Sequence, residues 1–302
     1  MDVDKIYSVI IIYNADISAL TTLTNSLKAQ DSNVVLVVND NNKYNSINAD
    51  KVIYNKKNLG IAEAQNIGIK YSLCQGAEFV AIFDQDSKVP KDYLSKMKDA
   101  FYVAQEEIGN IGLVAPRIYD INMDGFLEPR IYNFNKNRLS INIPNEKEKK
   151  VLNNKLIRLA AKPIASGALI SQKTFKKVGF MDERLFIDLV DTDYDLRILL
   201  NGMNIVQANS IILRHKIGNR KEVKFGKFSI WPTNHSPMRR YTIARNTIWL
   251  WKKYRKNIKG MNKETFRTII STIVYIQFET DAFSKNKAFL KGLIGGIFEN
   301  GQ

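Results

Sequence analysis

Four short runs of Val, Ile and aromatic residues, spaced by helix-like stretches and turns, constrain this chain most. Ile6 to Tyr13 is apolar apart from Ser8 and closes on Asn14. Val34 to Val38 closes on Asn39-Asp40-Asn41-Asn42, Lys51 to Tyr54 is a shorter run, and Glu78 to Phe83 runs into Asp84-Gln85-Asp86. Runs of this length and β-branched content read as strands buried on both faces. Ile17 to Gln30 carries Leu20, Leu23 and Leu27 on one helical face, and Ile61 to Lys70 is a small-residue helix. Strands alternating with helices give an α/β fold with a mostly parallel central sheet and helices on both faces. Ligands of such sheets gather at the carboxyl ends of the strands, where Asn14, Asp40 and the Asp84/Asp86 pair fall. No Gly-x-Gly-x-x-Gly or Walker loop is present, which weighs against dinucleotide-binding and phosphate-loop folds.

Asp84 and Asp86 share a face if the strand geometry persists. Two adjacent carboxylates repel unless a cation or proton lies between them. Mg²⁺ takes carboxylate oxygens together with substrate phosphates, so Asp-x-Asp at a strand end suits a metal–diphosphate anchor. The same residues also suit a solvated turn.

Asn110 to Ala115 reads as a fifth strand and Ala165 to Ile170 as another. The polar stretch from Asp120 to Lys150 reads as loops and short strands. Asp188, Asp191, Asp193 and Asp195 crowd eight residues. A helix from Thr192 to Asn201 would place acids in its first turn, where the helix dipole favours them. Asp188 and Asp191, just ahead of it, need another explanation.

The chain carries 45 Lys+Arg against 30 Asp+Glu, a net charge of +15 in 302 residues. Such an excess points to an anionic partner: nucleic acid, an anionic membrane surface or a phosphorylated substrate. No nucleic-acid-binding module is recognisable, and the densest basic clusters lie beside apolar helices. The single cysteine, Cys74, fits a reducing compartment. The first apolar run is a strand pattern rather than a signal peptide, and no apolar run approaches the roughly 20 residues of a membrane span. These features predict a cytoplasmic protein, peripheral at the inner face of the cell membrane.

From Tyr241 to Phe298 the character changes. Trp249, Trp251 and the Lys252-Lys253-Tyr254-Arg255-Lys256 cluster precede apolar helical faces. Interfacial helices look like this, and so do helices packing on a catalytic core or a second subunit. The expected division is 1–235 for the α/β domain, with halves of about 1–115 and 116–235, and 236–302 for a helical extension.

The order of these motifs resembles family 2 glycosyltransferases with a GT-A, Rossmann-like fold. The residues that carry the resemblance are Ile11-Ile12-Tyr13-Asn14, Val38-Asn39-Asp40-Asn41, Asn58-Leu59-Gly60 with Asn66, Phe83-Asp84-Gln85-Asp86-Ser87 and Phe186-Ile187-Asp188-Leu189-Val190-Asp191. The wording of the last two is most similar to bacterial rhamnosyltransferases. The resemblance covers about residues 6–250. It implies a nucleotide-sugar donor, dTDP-rhamnose or a UDP-sugar such as a UDP-hexose or UDP-galactofuranose. It implies a saccharide or lipid-diphosphate-linked saccharide acceptor, in the synthesis of a bacterial capsule or cell-wall polysaccharide. Asp40 would hold the pyrimidine, bordered by Tyr13 and Asn14, and Asn58, Gly60, Asn66, Asp84 and Gln85 would complete the donor pocket. Asp84 and Asp86 would hold Mg²⁺ or Mn²⁺, with Asp86 the direct ligand. Asp191 matches the catalytic base of inverting members, although Val190 stands where many members have Glu; a helix N-cap is its alternative role. Asp188 is an acceptor-site or a structural residue. His215 matches a His near the diphosphate or on the metal, with a structural His as the alternative. Arg245 suits phosphate contact, whereas Arg240 reads as part of a solvated basic helix face.

Overall fold

The computed structural model describes residues 5–135, 138–153, 155–218, 220–226 and 228–299. The first half contains β1 (Ile6–Ile12), α1 (Ile17–Lys28), β2 (Asn33–Val38), β3 (Lys51–Tyr54), α2 (Gly60–Cys74), β4 (Phe79–Asp84), α3 (Tyr93–Glu107) and β5 (Ile111–Asp120). Next come β6 (Gly125–Phe126), β7 (Ile131–Asn135), β8 (Arg138–Asn142), α4 (Glu146–Asn153), β9 (Ile157–Leu159), β10 (Leu169–Ser171), α5 (Gln172–Val178), α6 (Val190–Leu200) and β11 (Asn204–His215). The chain ends with β12 (Val223–Phe225), β13 (Phe228–Ile230), α7 (Pro237–Tyr254), β14 (Ile258–Lys259), α8 (Met261–Ile276) and α9 (Ala282–Phe298).

The central sheet runs β3-β2-β1-β4-β10-β5-β11-β9. Its first four strands are parallel. Then β10 enters antiparallel between β4 and β5, and β11 lies parallel to β5. The two-residue period of a strand divides the apolar runs between the faces. Val9, Val35, Val37, Val80 and Ile82 point to one core. Ile10, Ile12, Leu36, Val38, Ala81 and Phe83 point to the other, where they meet Leu20, Leu23 and Leu27 of α1 and Leu94, Met97 and Phe101 of α3. Residues buried on both faces leave no polar side, and this is why the runs are continuous rather than alternating. The register sets Ile11 opposite both Val37 and Asp84, which levels the carboxyl ends of β1, β2 and β4.

Several elements differ from the sequence expectation. The strand expected at Asn110 to Ala115 begins at Ile111 and continues to Asp120, because β11 pairs with it as far as His215 across a bulge. The polar stretch after Asp120 holds the expected short strands, among them the β7–β8 hairpin, and adds a short helix that was not expected. The tryptophans of the cluster at 249–256 are not free side chains. Trp249 Nε1 donates to Glu299 O (3.2 Å) and Trp251 Nε1 to Asn262 Oδ1 (2.7 Å), so both rings are held between helices. Nor is Arg240 a solvated basic residue. It is 3% exposed and ion-paired with Glu279, which also receives Lys285 Nζ at 3.3 Å. Charge buried this deeply persists only when paired.

Candidate active site

The site lies where the carboxyl ends of β1, β2 and β4 meet the segment before α6. Asp40 is fixed by three donors: Asn14 N (2.5 Å), Asn42 N (2.7 Å) and the Tyr44 hydroxyl (2.9 Å). Tyr44 is buried, and burial raises its hydroxyl above the ordinary tyrosine range. Asn14 takes a left-handed φ of 50°, a conformation Asn adopts more readily than most residues. Tyr13 and Gln85 exchange two bonds, Tyr13 N to Gln85 Oε1 (2.8 Å) and Gln85 Nε2 to Tyr13 O (3.1 Å). That clamp ties the end of β1 to the Asp-x-Asp turn and leaves the Tyr13 ring about half exposed.

Asp84 and Asp86 converge on His215 from the end of β11. His215 Nε2 lies 3.4 Å from Asp84 Oδ2, and Nδ1 lies 3.9 Å from Asp86 Oδ1. Nδ1 is buried with no hydrogen-bond partner among the described residues. Burial raises the Asp84 carboxyl; His215 pulls it back, the neighbouring Asp86 charge raises it further, and Arg239 lowers it. Among the described residues no three such side chains form a ready-made metal cage. Mg²⁺-type sites seldom need one, because one or two carboxylates and substrate phosphates complete the shell. Asp84 and Asp86 supply the carboxylate oxygens that such a site takes from the protein.

Asp191 sits on the other side of this group. Leu189 occupies the N-cap position with a left-handed φ of 62° and makes no side-chain cap bond. Asp191 therefore lies inside the first turn and is not the cap, and its Oδ1 accepts from Thr192 N (2.7 Å). Burial raises its carboxyl above the usual range, Thr192 N–H opposes this, and the charges of Asp84 and Asp188 add to the rise.

The segment ahead of α6 is strained. Phe186, Asp188 and Leu189 all have φ between 60° and 67° without being glycine. Such conformations cost of order 1 to 3 kcal/mol each and persist where surrounding contacts impose them. The contacts come from two directions. Ile61 N and Ala62 N, at the start of α2, donate to Phe186 O at 2.6 and 3.3 Å. Gly60 permits that approach, since a Cβ there would stand 2.5 Å from the Phe186 ring. From α7, Asn246 Nδ2 reaches the carbonyls of Leu185, Ile187 and Asp188 at 3.0, 2.9 and 2.8 Å.

Four residues placed by the resemblance are engaged elsewhere. Asn66 is buried, and its amide is occupied by Met181 N, Met181 O and Glu183, so it anchors the 181–183 segment instead of facing a donor. Asn58 Oδ1 accepts from Gly60 N (2.9 Å) and shapes the turn into α2. Asp188 is held by the Arg239 guanidinium and by the Thr242 hydroxyl (2.6 Å), which leaves it ion-paired rather than open to an acceptor. Arg245 donates to the carbonyls of Arg184 and Leu185 and stacks 4.3 Å from the Trp249 ring. Thr242 and Asn246 go unassigned in the sequence reading, which names only Arg240 and Arg245 among their neighbours.

Residues 8–179 match the model of "Glycosyl transferase family 2". The chain belongs to glycosyltransferase family 2. It is therefore a glycosyltransferase with a GT-A fold, and similarity extends well beyond the matched segment. A dTDP-rhamnosyl transferase, RfbF of Shigella flexneri, is 33% identical over 298 residues, covering 97% of this glycosyltransferase and 95% of that protein. The structure of GalNAc-T7 with UDP, GalNAc and Mn²⁺ superposes with a TM-score of 0.58 at 14% identity; it aligns with 99% of this chain, which spans 56% of that one. S. aureus TarS 1-349 with UDP-GlcNAc superposes at 0.54 and 13% identity, over 97% of this chain and 81% of that one. These two likenesses concern the fold.

Proposed function

We propose that this glycosyltransferase moves L-rhamnose from dTDP-rhamnose to a hydroxyl of a saccharide acceptor, with inversion and with a divalent cation at Asp84 and Asp86. The observation that carries the donor assignment is the 33% identity to a dTDP-rhamnosyl transferase along nearly the whole of both chains. A saccharide carried on a lipid diphosphate, during synthesis of a bacterial surface polysaccharide, is the acceptor we favour.

In this reading Asp40 accepts from the pyrimidine edge while the exposed Tyr13 ring covers the base. Asp84, Asp86 and His215 would hold Mg²⁺ or Mn²⁺, which stabilises the charge of the departing diphosphate. Asp191 takes the proton of the acceptor hydroxyl as its oxygen bonds to the anomeric carbon. The bond from that carbon to the diphosphate breaks, and its electron pair leaves with dTDP. A carboxyl raised by burial binds a proton more tightly than a solvated one, as a base requires. Asp188, neutralised by Arg239, keeps a second free carboxylate away from that proton.

Release of nucleoside diphosphate from dTDP-rhamnose, UDP-glucose and UDP-galactofuranose tests the donor. Turnover of dTDP-rhamnose should exceed the others, and faster turnover of either UDP-sugar overturns the assignment. Anomeric configuration in the product, read by NMR, tests inversion.

A further inference from the structure

The two last helices leave an apolar surface that the active site does not use. On α9 the exposed residues are Phe283, Lys287, Leu290, Lys291, Ile294, Ile297 and Phe298. At about 100° per residue they fall within roughly a third of the helix circumference. Phe283 and Phe298 are 81% and 78% exposed, values a soluble surface seldom gives to aromatic rings. On α8 the exposed apolar residues are Phe266, Ile270 and Val274, four apart and therefore on one face, with exposed Lys263 beside them.

The inner side of α9 cannot turn to cover these residues. It is seated on α7, where Gly292 and Gly296 bring the two helices together. A Cβ at Gly292 would stand 2.3 Å from Tyr241 O, and one at Gly296 would stand 2.8 Å from Arg245 O. Phe289 and Lys285 are buried on that inner side. The outer face is thus fixed in its exposed orientation by backbone-to-backbone packing.

We propose that α8 and α9 form a docking face for an anionic lipid bilayer, on which the enzyme lies without crossing it. Charge selects this occupant. The outer face of α9 carries two lysines, Lys287 and Lys291, and no acid. On α8 the one acid, Glu264, is engaged by Arg130, Lys162 and Arg267. A symmetric pair of chains would bring the same surface against itself, setting Lys287 and Lys291 against lysines with no carboxylate opposite. An anionic headgroup layer supplies the missing charge, and the acyl boundary receives the aromatic and aliphatic side chains. Among the described residues no helix is long and apolar enough to span a bilayer, so the contact is one face deep.

The test is flotation of the full chain with phosphatidylcholine vesicles, with and without phosphatidylglycerol. Two surface variants accompany it, Lys287→Glu/Lys291→Glu and Phe283→Ser/Leu290→Ser/Ile294→Ser. The parent should float only with the anionic vesicles, and less at high salt. Each variant should partition about tenfold less, with an unchanged melting temperature and unchanged release of nucleoside diphosphate. Those two controls separate surface loss from misfolding, and neither depends on which sugar is transferred. No flotation by the parent, or equal flotation by parent and variants, overturns the proposal. So does a parent dimer in sedimentation that the apolar variant dissociates, since the face would then belong to a second copy.

Discussion

Asn246 on α7 and Asp188, fifty-eight residues earlier, are joined by a 2.8 Å bond from the side-chain amide to the main-chain carbonyl. The same amide reaches Leu185 and Ile187, so one side chain spans the strained turn that delivers Asp191. The carboxylate proposed as the base is therefore positioned by a helix outside the segment matched by the family model, which ends at residue 179.

Removing this amide should loosen the turn. Asn246→Ala leaves the carbonyls of Ile187 and Asp188 without this partner, while Leu185 O keeps Ile187 N and Arg245, and each unsatisfied group costs about 1 to 3 kcal/mol if water cannot replace the bond. The expected result is a melting temperature several degrees lower and a kcat reduced more than donor affinity. Parental values of both would show that the turn holds its strained φ values without α7.

Asp191→Asn separates proton acceptance from local shape. The amide keeps the size of the side chain and cannot take the acceptor's proton. At saturating donor and acceptor, kcat should fall by about 10²- to 10⁴-fold, the usual worth of a positioned acid–base group. Binding of dTDP should stay near parental, because Asp40 and Asp84 are untouched. A variant retaining more than about a tenth of parental kcat would remove Asp191 from the base role, since that is barely 1.4 kcal/mol of barrier.

Asp86→Ala tests the metal assignment. Calorimetry of dTDP binding with and without Mn²⁺ should show metal-enhanced affinity in the parent and none in the variant. Enhancement that survives the substitution would move the cation elsewhere. The fold should persist, because Asp86 is half exposed and its removal empties no core.

The pH dependence of stability should carry a histidine signature. Burial lowers the His235 pKa from its ordinary 6.5 to about 3, and Arg239, Arg240, Arg220 and Lys285 add to the fall. Between these values the unfolded chain holds a proton that the folded chain refuses. This stability is fully present above about pH 6.5 and is lost as pH falls toward 3, at up to about 1.4 kcal/mol per pH unit. Urea midpoints from pH 7 to pH 4 should fall less steeply for His235→Gln than for the parent. Parallel profiles would mean that His235 takes up its proton in the folded state.

Local chemistry made half of this molecule legible. Continuous Val/Ile runs can only be strands covered on both sides, so β1, β2 and β4 and the polar residues at their ends could be read directly. Asp84, Asp86 and Asp191 drew notice because acids beside strand ends and helix starts invite explanation. Partners distant in sequence were not legible. Nothing around Asp188 announces Arg239 and Thr242, and nothing around Asn66 announces Met181. The cluster at Trp249 was open to two readings, because a tryptophan–lysine pattern has the same composition whether it faces lipid or packs under another helix. The indole partners, Asn262 on α8 and Glu299 beyond α9, are not marked in the sequence.

The close approach of Gly60 to Phe186 constrains how such a protein can be recombined. The turn carrying Asp191 is gripped by the start of α2 on one side and by α7 on the other, so it belongs to neither half of the chain. A chimera joined between α6 and α7 would inherit the turn from one parent and its amide clamp from the other. Exchange of acceptor preference between relatives should therefore succeed with the turn, α6 and α7 carried as one block, and with a glycine retained where α2 begins.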